Sequence, residues 1–388
     1  MNNQTMTDDP FPYLADRRGS DSLKWHRCSG TGNLPMWVAD MDFKCAEPIL
    51  EALRGRVDHG VFGYAVPPAG IENVVMDWLN SRYGWAIEPD WIVWVPGLVS
   101  ALHVCCRAFV GRRQNVLTFT PIYPPFMAAP VQSHRGLVKC PLIRRDGRYE
   151  MDMDLLAETV TEDTRLLLLC SPHNPVGRVW NRDELMQIAE FCLQRNIVLC
   201  SDEIHCDLIL KPDLRHIPTA TLSPEIAANT ITLMSPAKTF NLPGLNCGFA
   251  VISNPQLRST FKKAAYDTIP HVNALGYTAC KAAFTQGGPW LEEVLAYLRT
   301  NHDILFNAIN HEIEGLSMGP VDATYLAWVD TRALNLSEKP STFFERAQVT
   351  VMNGQAFGES GFVRINFACS REHLLWAVDR IKEAVKQK

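Results

Sequence analysis

Short, mostly apolar runs alternate with stretches whose apolar residues recur every three or four positions through the middle of this chain. The runs at 91–95, 115–119, 165–170, 197–201, 230–234 and 247–252 read as strands, being brief, mostly apolar and separated by polar or turn-rich segments. The stretches at 99–109, 183–195 and 255–266 read as amphipathic helices. Strands apolar on both faces, with helices crossing between them, imply a parallel sheet covered on both sides. Such sheets gather their chemistry at the carboxyl ends of the strands. Polar clusters follow Val95, Cys170 and Cys200, where that rule puts a site.

The pattern changes near residue 289. A long helical period over 289–314 leads to strand-like runs near 325–329, 349–352 and 362–366, and a last helix runs from 371 to the end. The expected organisation is α/β. A large domain at 46–288 carries a mixed, mostly parallel sheet covered by helices, and a smaller α+β domain occupies 289–388. Residues 1–45 are too irregular for a domain and are expected to pack on the small one. There is no internal repeat or low-complexity segment.

Composition narrows the function. Hydrophobic residues at 47 % and charged residues at 20 % describe an ordinary globular protein. A net charge of −5 without a basic run argues against a nucleic-acid partner. The start lacks a basic, apolar leader and no run approaches a membrane span, so the expected location is the cytoplasm. The 12 cysteines show no paired metal-ligand spacing and read as buried thiols in a reducing compartment, with no metal expected.

Lys238 stands in Leu233-Met-Ser-Pro-Ala-Lys-Thr-Phe-Asn-Leu-Pro-Gly-Leu245, among small residues and before a turn. An ion-paired or snorkelling lysine is the ordinary reading; beside a carbonyl-bearing cofactor, its amine forms a Schiff base and shuttles protons. Asp202, in Cys200-Ser-Asp-Glu-Ile-His205, ends a buried strand, where an unpaired carboxylate costs several kcal/mol. It is either a salt-bridge or capping residue or the partner of a protonated pyridine nitrogen. His205, one turn on, is in reach of Asp202 or of the ring's phenolic oxygen. Asn174, in Ser171-Pro-His-Asn-Pro-Val-Gly177, belongs to a turn and would set an amide beside that oxygen and a substrate carboxylate. Gly97, Leu98 and Val99 open a helix whose free N–H groups suit a phosphate, with the Ser235 hydroxyl as a further donor. Tyr123 offers an aromatic face for a flat ring, and Arg364, mid-strand in an apolar run, a bidentate clamp for a carboxylate.

The order Gly97, Tyr123, Asn174, Asp202, Lys238, Arg364 resembles the fold-type I pyridoxal 5'-phosphate enzymes, the aminotransferase class I/II group, over nearly the whole chain. The strings Asn33-Leu-Pro-Met-Trp-Val-Ala-Asp-Met-Asp-Phe43, His59-Gly-Val-Phe-Gly-Tyr64, Ser201-Asp-Glu-Ile-His205 and Thr324-Tyr-Leu-Ala-Trp328 are similar to the MalY/PatB-type cystathionine β-lyase, or C–S lyase, branch. The resemblance implies pyridoxal phosphate bound through Lys238 and a homodimer in which Tyr64 reaches the partner's cofactor phosphate. It also implies that the backbone at Val38 and Ala39 faces the substrate carboxylate. The expected activity is α,β-elimination from L-cystathionine or a related cysteine S-conjugate, with Lys238 as base and Lys238 or Tyr123 as proton donor to the thiolate. Relatives that transfer amino groups carry an arginine eight residues after the lysine. Asn246 stands there instead, which favours the lyase. An aminotransferase of the same fold is the alternative, and a cofactor-binding regulator or scaffold is a further one. A nicotinamide dehydrogenase is set aside because no G-x-G-x-x-G follows a strand. Residues 267–273 match no interpretable pattern and are expected to help shape the substrate pocket.

Overall fold

Seven strands form the larger sheet: β1 (Ile92–Val95), β2 (Asn115–Thr120), β3 (Gly136–Pro141), β4 (Thr164–Cys170), β5 (Val198–Asp202), β6 (Thr230–Met234) and β7 (Gly248–Val251). The structure is a computed structural model that describes residues 11–266 and 268–388. The strands lie in the order β1-β7-β6-β5-β4-β2-β3. β4 shows why its run from Leu166 to Cys170 is apolar at every position. Leu166, Leu168 and Cys170 pack on one face with Ala101, Leu102 and Cys105 of the helix Leu98–Phe109. Leu167 and Leu169 pack on the other with Leu185, Ile188 and Cys192 of the helix Arg182–Gln194. Successive side chains point to opposite faces, and both faces are covered.

The sheet is mixed and mostly parallel, as expected, and two of its strands depart from the central pattern. β3 has half-exposed and exposed positions and lies at the sheet edge, so it lacks the apolar run that marks the central strands. β7 runs antiparallel to both neighbours. The connection from β6 to β7 holds only the four-residue helix Pro236–Thr239 and the turn Pro243–Leu245. A helix that short rises roughly 6 Å, against roughly 17 Å for a five-residue strand, and so cannot return the chain to the other end of the sheet.

A four-stranded antiparallel sheet contains β8 (Ser317–Met318), β9 (Leu326–Asp330), β10 (Met352–Asn353) and β11 (Phe362–Asn366), ordered β8-β9-β11-β10. The run at 349–352 is thus two strands. Val349–Thr350 pairs in parallel with Leu34–Pro35, whereas β10 pairs with β11. The long helix ends earlier than its periodicity suggests: Gly288–Asn307 is α-helical, and Ala308–Glu312 widens into a π turn. The chain entry is tied to the smaller sheet, for Asn366 N–H donates to the Met36 carbonyl (2.9 Å) and Asp42 N–H to that of Ala368 (3.0 Å). Among the described residues, no helix is long and apolar enough to cross a membrane.

Candidate active site

A cavity of about 390 Å³ opens at the carboxyl ends of β1, β4, β5 and β6 and is closed by β11 and the chain entry. Lys238, Asp202, Asn174, Tyr123, His205, Ser235, Gly97, Leu98, Val99, Arg364, Val38 and Ala39 all line it. Tyr64 does not: it lies fully exposed on a segment without regular secondary structure, with exposed Phe62 and Val66. Of the segment at 267–273, Asp267 lies outside the described residues, and the remainder does not line this cavity. Asn273 instead caps the helix Ala274–Gln286 and donates to the Leu245 carbonyl (2.9 Å).

The Ser-Pro pair starts the helix that carries Lys238. Ser235 Oγ accepts from Ala237 N–H (3.0 Å), and Pro236 occupies the first helical position, where its missing N–H costs nothing. The same hydroxyl donates to the Cys247 carbonyl (2.6 Å). Asn241, three residues after the lysine, has φ of +56° and receives Met41 N–H (2.9 Å). Its amide also donates to the carbonyls of Met41 (2.9 Å) and Phe43 (2.8 Å), which fastens the chain entry to the lysine loop.

Lys238 Nζ donates to the Ala39 carbonyl (2.6 Å), which also accepts from the Tyr325 hydroxyl (3.0 Å). Burial, with the Arg364 charge adding, lowers the amine from 10.5 to about 8, against the pull of Asp40 and Asp202. Asp202 accepts from Ile204 N–H (3.1 Å). Its carboxyl is pushed up to about 7 by burial, opposed by that N–H bond, with Glu203 raising it further and Lys238 lowering it. Arg364 donates to Asn174 Oδ1 (3.1 Å) and the Trp37 carbonyl (2.9 Å), and burial lowers it to about 10. His205 is lowered to about 3, chiefly by burial and then by the charges of Lys238 and Arg364, so it is neutral at physiological pH. Burial raises Tyr123, whose N–H donates to the Asn174 carbonyl (3.1 Å). The turn after Asn174 ends at Gly177 (φ +69°), where a Cβ would stand 2.8 Å from Val321, so glycine is required by backbone and space alike.

The arrangement fits a phosphorylated pyridine aldehyde. Two buried nitrogens, His205 Nδ1 and Arg364 Nε, have no hydrogen-bond partner among the described residues. A buried polar atom left so costs about 1–3 kcal/mol, a cost that a ligand bound against it would offset. The helix Leu98–Phe109 points its N-terminus at the same space, where its first N–H groups lack intrahelical acceptors. Asn246, eight residues after Lys238, takes the left-handed conformation (φ +49°) on the wall.

Two residues missed by the sequence reading hold the wall. Tyr325 supplies the hydroxyl on Ala39, and fully buried Asn366 donates to the carbonyls of Val38 (2.6 Å) and Asp40 (2.7 Å) while accepting Ala368 N–H (2.8 Å). The signal for Asn366 was its spacing: two residues after Arg364 in a strand, it shares the arginine's face. Replacing Asn366 with alanine removes its hydrogen bonds to three backbone groups: the Val38 and Asp40 carbonyls keep Asp40 N–H (3.0 Å) and Lys24 Nζ (3.3 Å), while Ala368 N–H loses its acceptor. The variant is expected to lose about 3 kcal/mol in chemical denaturation and to raise KM about tenfold as Val38 and Ala39 shift; unchanged KM and stability would refute this role.

The chain matches the model for aminotransferase class I and II over residues 44–381. Cystathionine β-lyase PatB of Bacillus subtilis (strain 168) is 36 % identical over 385 residues, covering 97 % of this chain and 99 % of the relative. The crystal structure of OvoB superposes with a TM-score of 0.95 at 42 % identity, over 97 % of this chain and 99 % of that one. Cystalysin from Treponema denticola, whose structure contains a pyridoxal 5'-phosphate cofactor, superposes with a TM-score of 0.92 at 32 % identity, over 96 % of this chain and 98 % of its own. With its lysine, carboxylate and arginine gathered in one cavity and its length matched almost end to end, this chain belongs to the aminotransferase class I and II family.

Proposed function

We infer that this protein is a pyridoxal 5'-phosphate-dependent carbon–sulfur β-lyase that cleaves L-cystathionine or related L-cysteine S-conjugates to a thiol, pyruvate and ammonia. The observation that carries the chemistry is the half-buried Lys238 amine gathered in one cavity with Asp202 and Arg364. Full-length similarity to cystathionine β-lyase PatB supports elimination as the outcome.

When bound, the cofactor supplies an electrophilic aldehyde and a ring that accepts electrons from Cα. The N–H groups at Gly97, Leu98 and Val99, with Ser235 beside them, would hold its phosphate. Asp202 would keep the ring nitrogen protonated, and Tyr123, His205 and Asn174 would hold the ring. Arg364 and Asn174 take the substrate carboxylate, with the backbone of Val38 and Ala39 closing that end. Lys238 Nζ removes the Cα proton, and Lys238 or Tyr123 returns a proton to the departing thiolate. Because this base works only when neutral, kcat is expected to rise through about pH 8 and then level off. A profile flat from pH 6 to 9 would contradict that role.

A second copy of the chain completes the site in this reading. Tyr64, Phe62 and Val66 form an exposed apolar strip that a partner subunit covers, with Tyr64 reaching the phosphate held by that partner. The cytoplasm suits the twelve free cysteines, all but Cys45 of them buried. The deciding assay gives purified holoenzyme L-cystathionine with no keto acid. Pyruvate and free thiol in equal amounts are expected; turnover that needs 2-oxoglutarate would show an aminotransferase instead.

A further inference from the structure

A second cavity, of about 340 Å³, shares no lining residue with the first. Its walls come from the end of the helix Ile71–Tyr83, the helix Gly288–Asn307 and the segment 206–216. Four cationic side chains line it, Arg82, Lys211, Arg215 and Arg299, against two carboxylates, Asp207 and Glu292. The carboxylates are already engaged. Asp207 accepts from Arg82 Nε (3.0 Å), the Tyr83 hydroxyl (2.5 Å) and Thr239 Oγ1 (2.9 Å), and Glu292 faces Arg82 Nη1 at 3.5 Å. Lys211 pairs with Asp322 (3.0 Å), which is not part of the lining.

Arg215 and Arg299 differ. Arg299 donates to the carbonyls of Leu210 (2.7 Å) and Ile209 (3.4 Å), and Arg215 reaches those of Pro212 (3.5 Å) and Leu214 (3.4 Å). Carbonyl oxygens orient a guanidinium without neutralising it. Neither arginine has a carboxylate partner among the described residues. Two uncompensated guanidinium charges from different elements therefore face one concave space.

We propose that this cavity binds a small dianion of phosphate chemistry, held between Arg215 and Arg299. Planar guanidinium forks match phosphate oxygens two at a time, and the cavity has room for a phosphate with a small substituent. Inorganic phosphate and a phosphate monoester share that group, and the two are separated by testing each.

The test uses holoenzyme, so that the cofactor's own phosphate already fills the catalytic cavity. Thermal melting is followed with increasing inorganic phosphate or glycerol 3-phosphate, against sodium chloride at equal ionic strength. A saturable rise in Tm with at least one of the two, absent with chloride, is expected. In Arg215→Glu, whose exposed side chain makes only long contacts, half-saturation should move about tenfold higher, which corresponds to about 1.4 kcal/mol. Arg299→Gln should shift it in the same direction. No phosphate-specific rise in the unaltered holoenzyme, or an unshifted half-saturation in Arg215→Glu, overturns the proposal.

Discussion

Replacing Lys238 with alanine is expected to leave a folded protein without turnover and without the visible absorbance of the lysine-bound cofactor. The side chain points into the cavity and its one hydrogen bond is to the Ala39 carbonyl (2.6 Å), so its removal strands little else. The cap from Ser235 and the start at Pro236 are untouched, and alanine is the best helix former. Loss of a base positioned on Cα costs a factor of about a thousand or more. Stability should move the other way. The folded chain holds the amine at about 8 rather than 10.5, so it binds fewer protons than the unfolded chain between those values. The resulting penalty is complete below pH 8 and fades as pH rises towards 10.5. At pH 7 the cofactor-free alanine variant should therefore be more stable, by up to about 3 kcal/mol. Kinetics with a cysteine S-conjugate and denaturation of the cofactor-free protein check the two halves. Retained turnover would sink the assignment of this lysine.

Much of this site was legible because its residues follow strand ends. Asn174 comes after β4, Asp202 ends β5 and Lys238 follows β6, and burial of the strands leaves each polar residue conspicuous against an apolar run. Arg364 was legible for the same reason, as a charge within an apolar strand. What escaped notice depends on partners distant in sequence. Tyr325 and Asn366 matter only because the chain entry at 38–40 folds against them, and nothing local in either segment marks that approach. The antiparallel direction of β7 follows from how the lysine loop is spent, since a connection that builds a cavity wall has no helix long enough to cross back. Likewise the run at 349–352 looks continuous, yet its two halves pair with different strands. Ser235 shows a finer limit. Its proximity to Lys238 was readable, but not that its hydroxyl proton goes to Cys247.

The second large effect is expected at Asp202. Asparagine keeps the shape and the acceptor for Ile204 N–H (3.1 Å), but it removes the only negative charge among the side chains lining the cavity. A neutral amide cannot hold a proton on the ring nitrogen, so the ring drains electrons from Cα poorly. Cofactor should still bind and absorb, while kcat falls by about a thousandfold. The cofactor-free chain offers an independent reading of the same charge. Burial raises the Asp202 carboxyl from 3.8 to about 7, so between those values the folded chain holds a proton that the unfolded chain has released. Stability contributed by this group therefore falls as pH rises from about 4 to 7 and is flat above, a loss of up to about 4 kcal/mol. Asp202→Asn has no such slope, and its advantage over the unaltered protein should grow across that window. Stability curves that stay parallel from pH 4 to 7 would show that the carboxyl is not desolvated in the empty cavity. An undiminished kcat would show that its charge is not what the reaction uses.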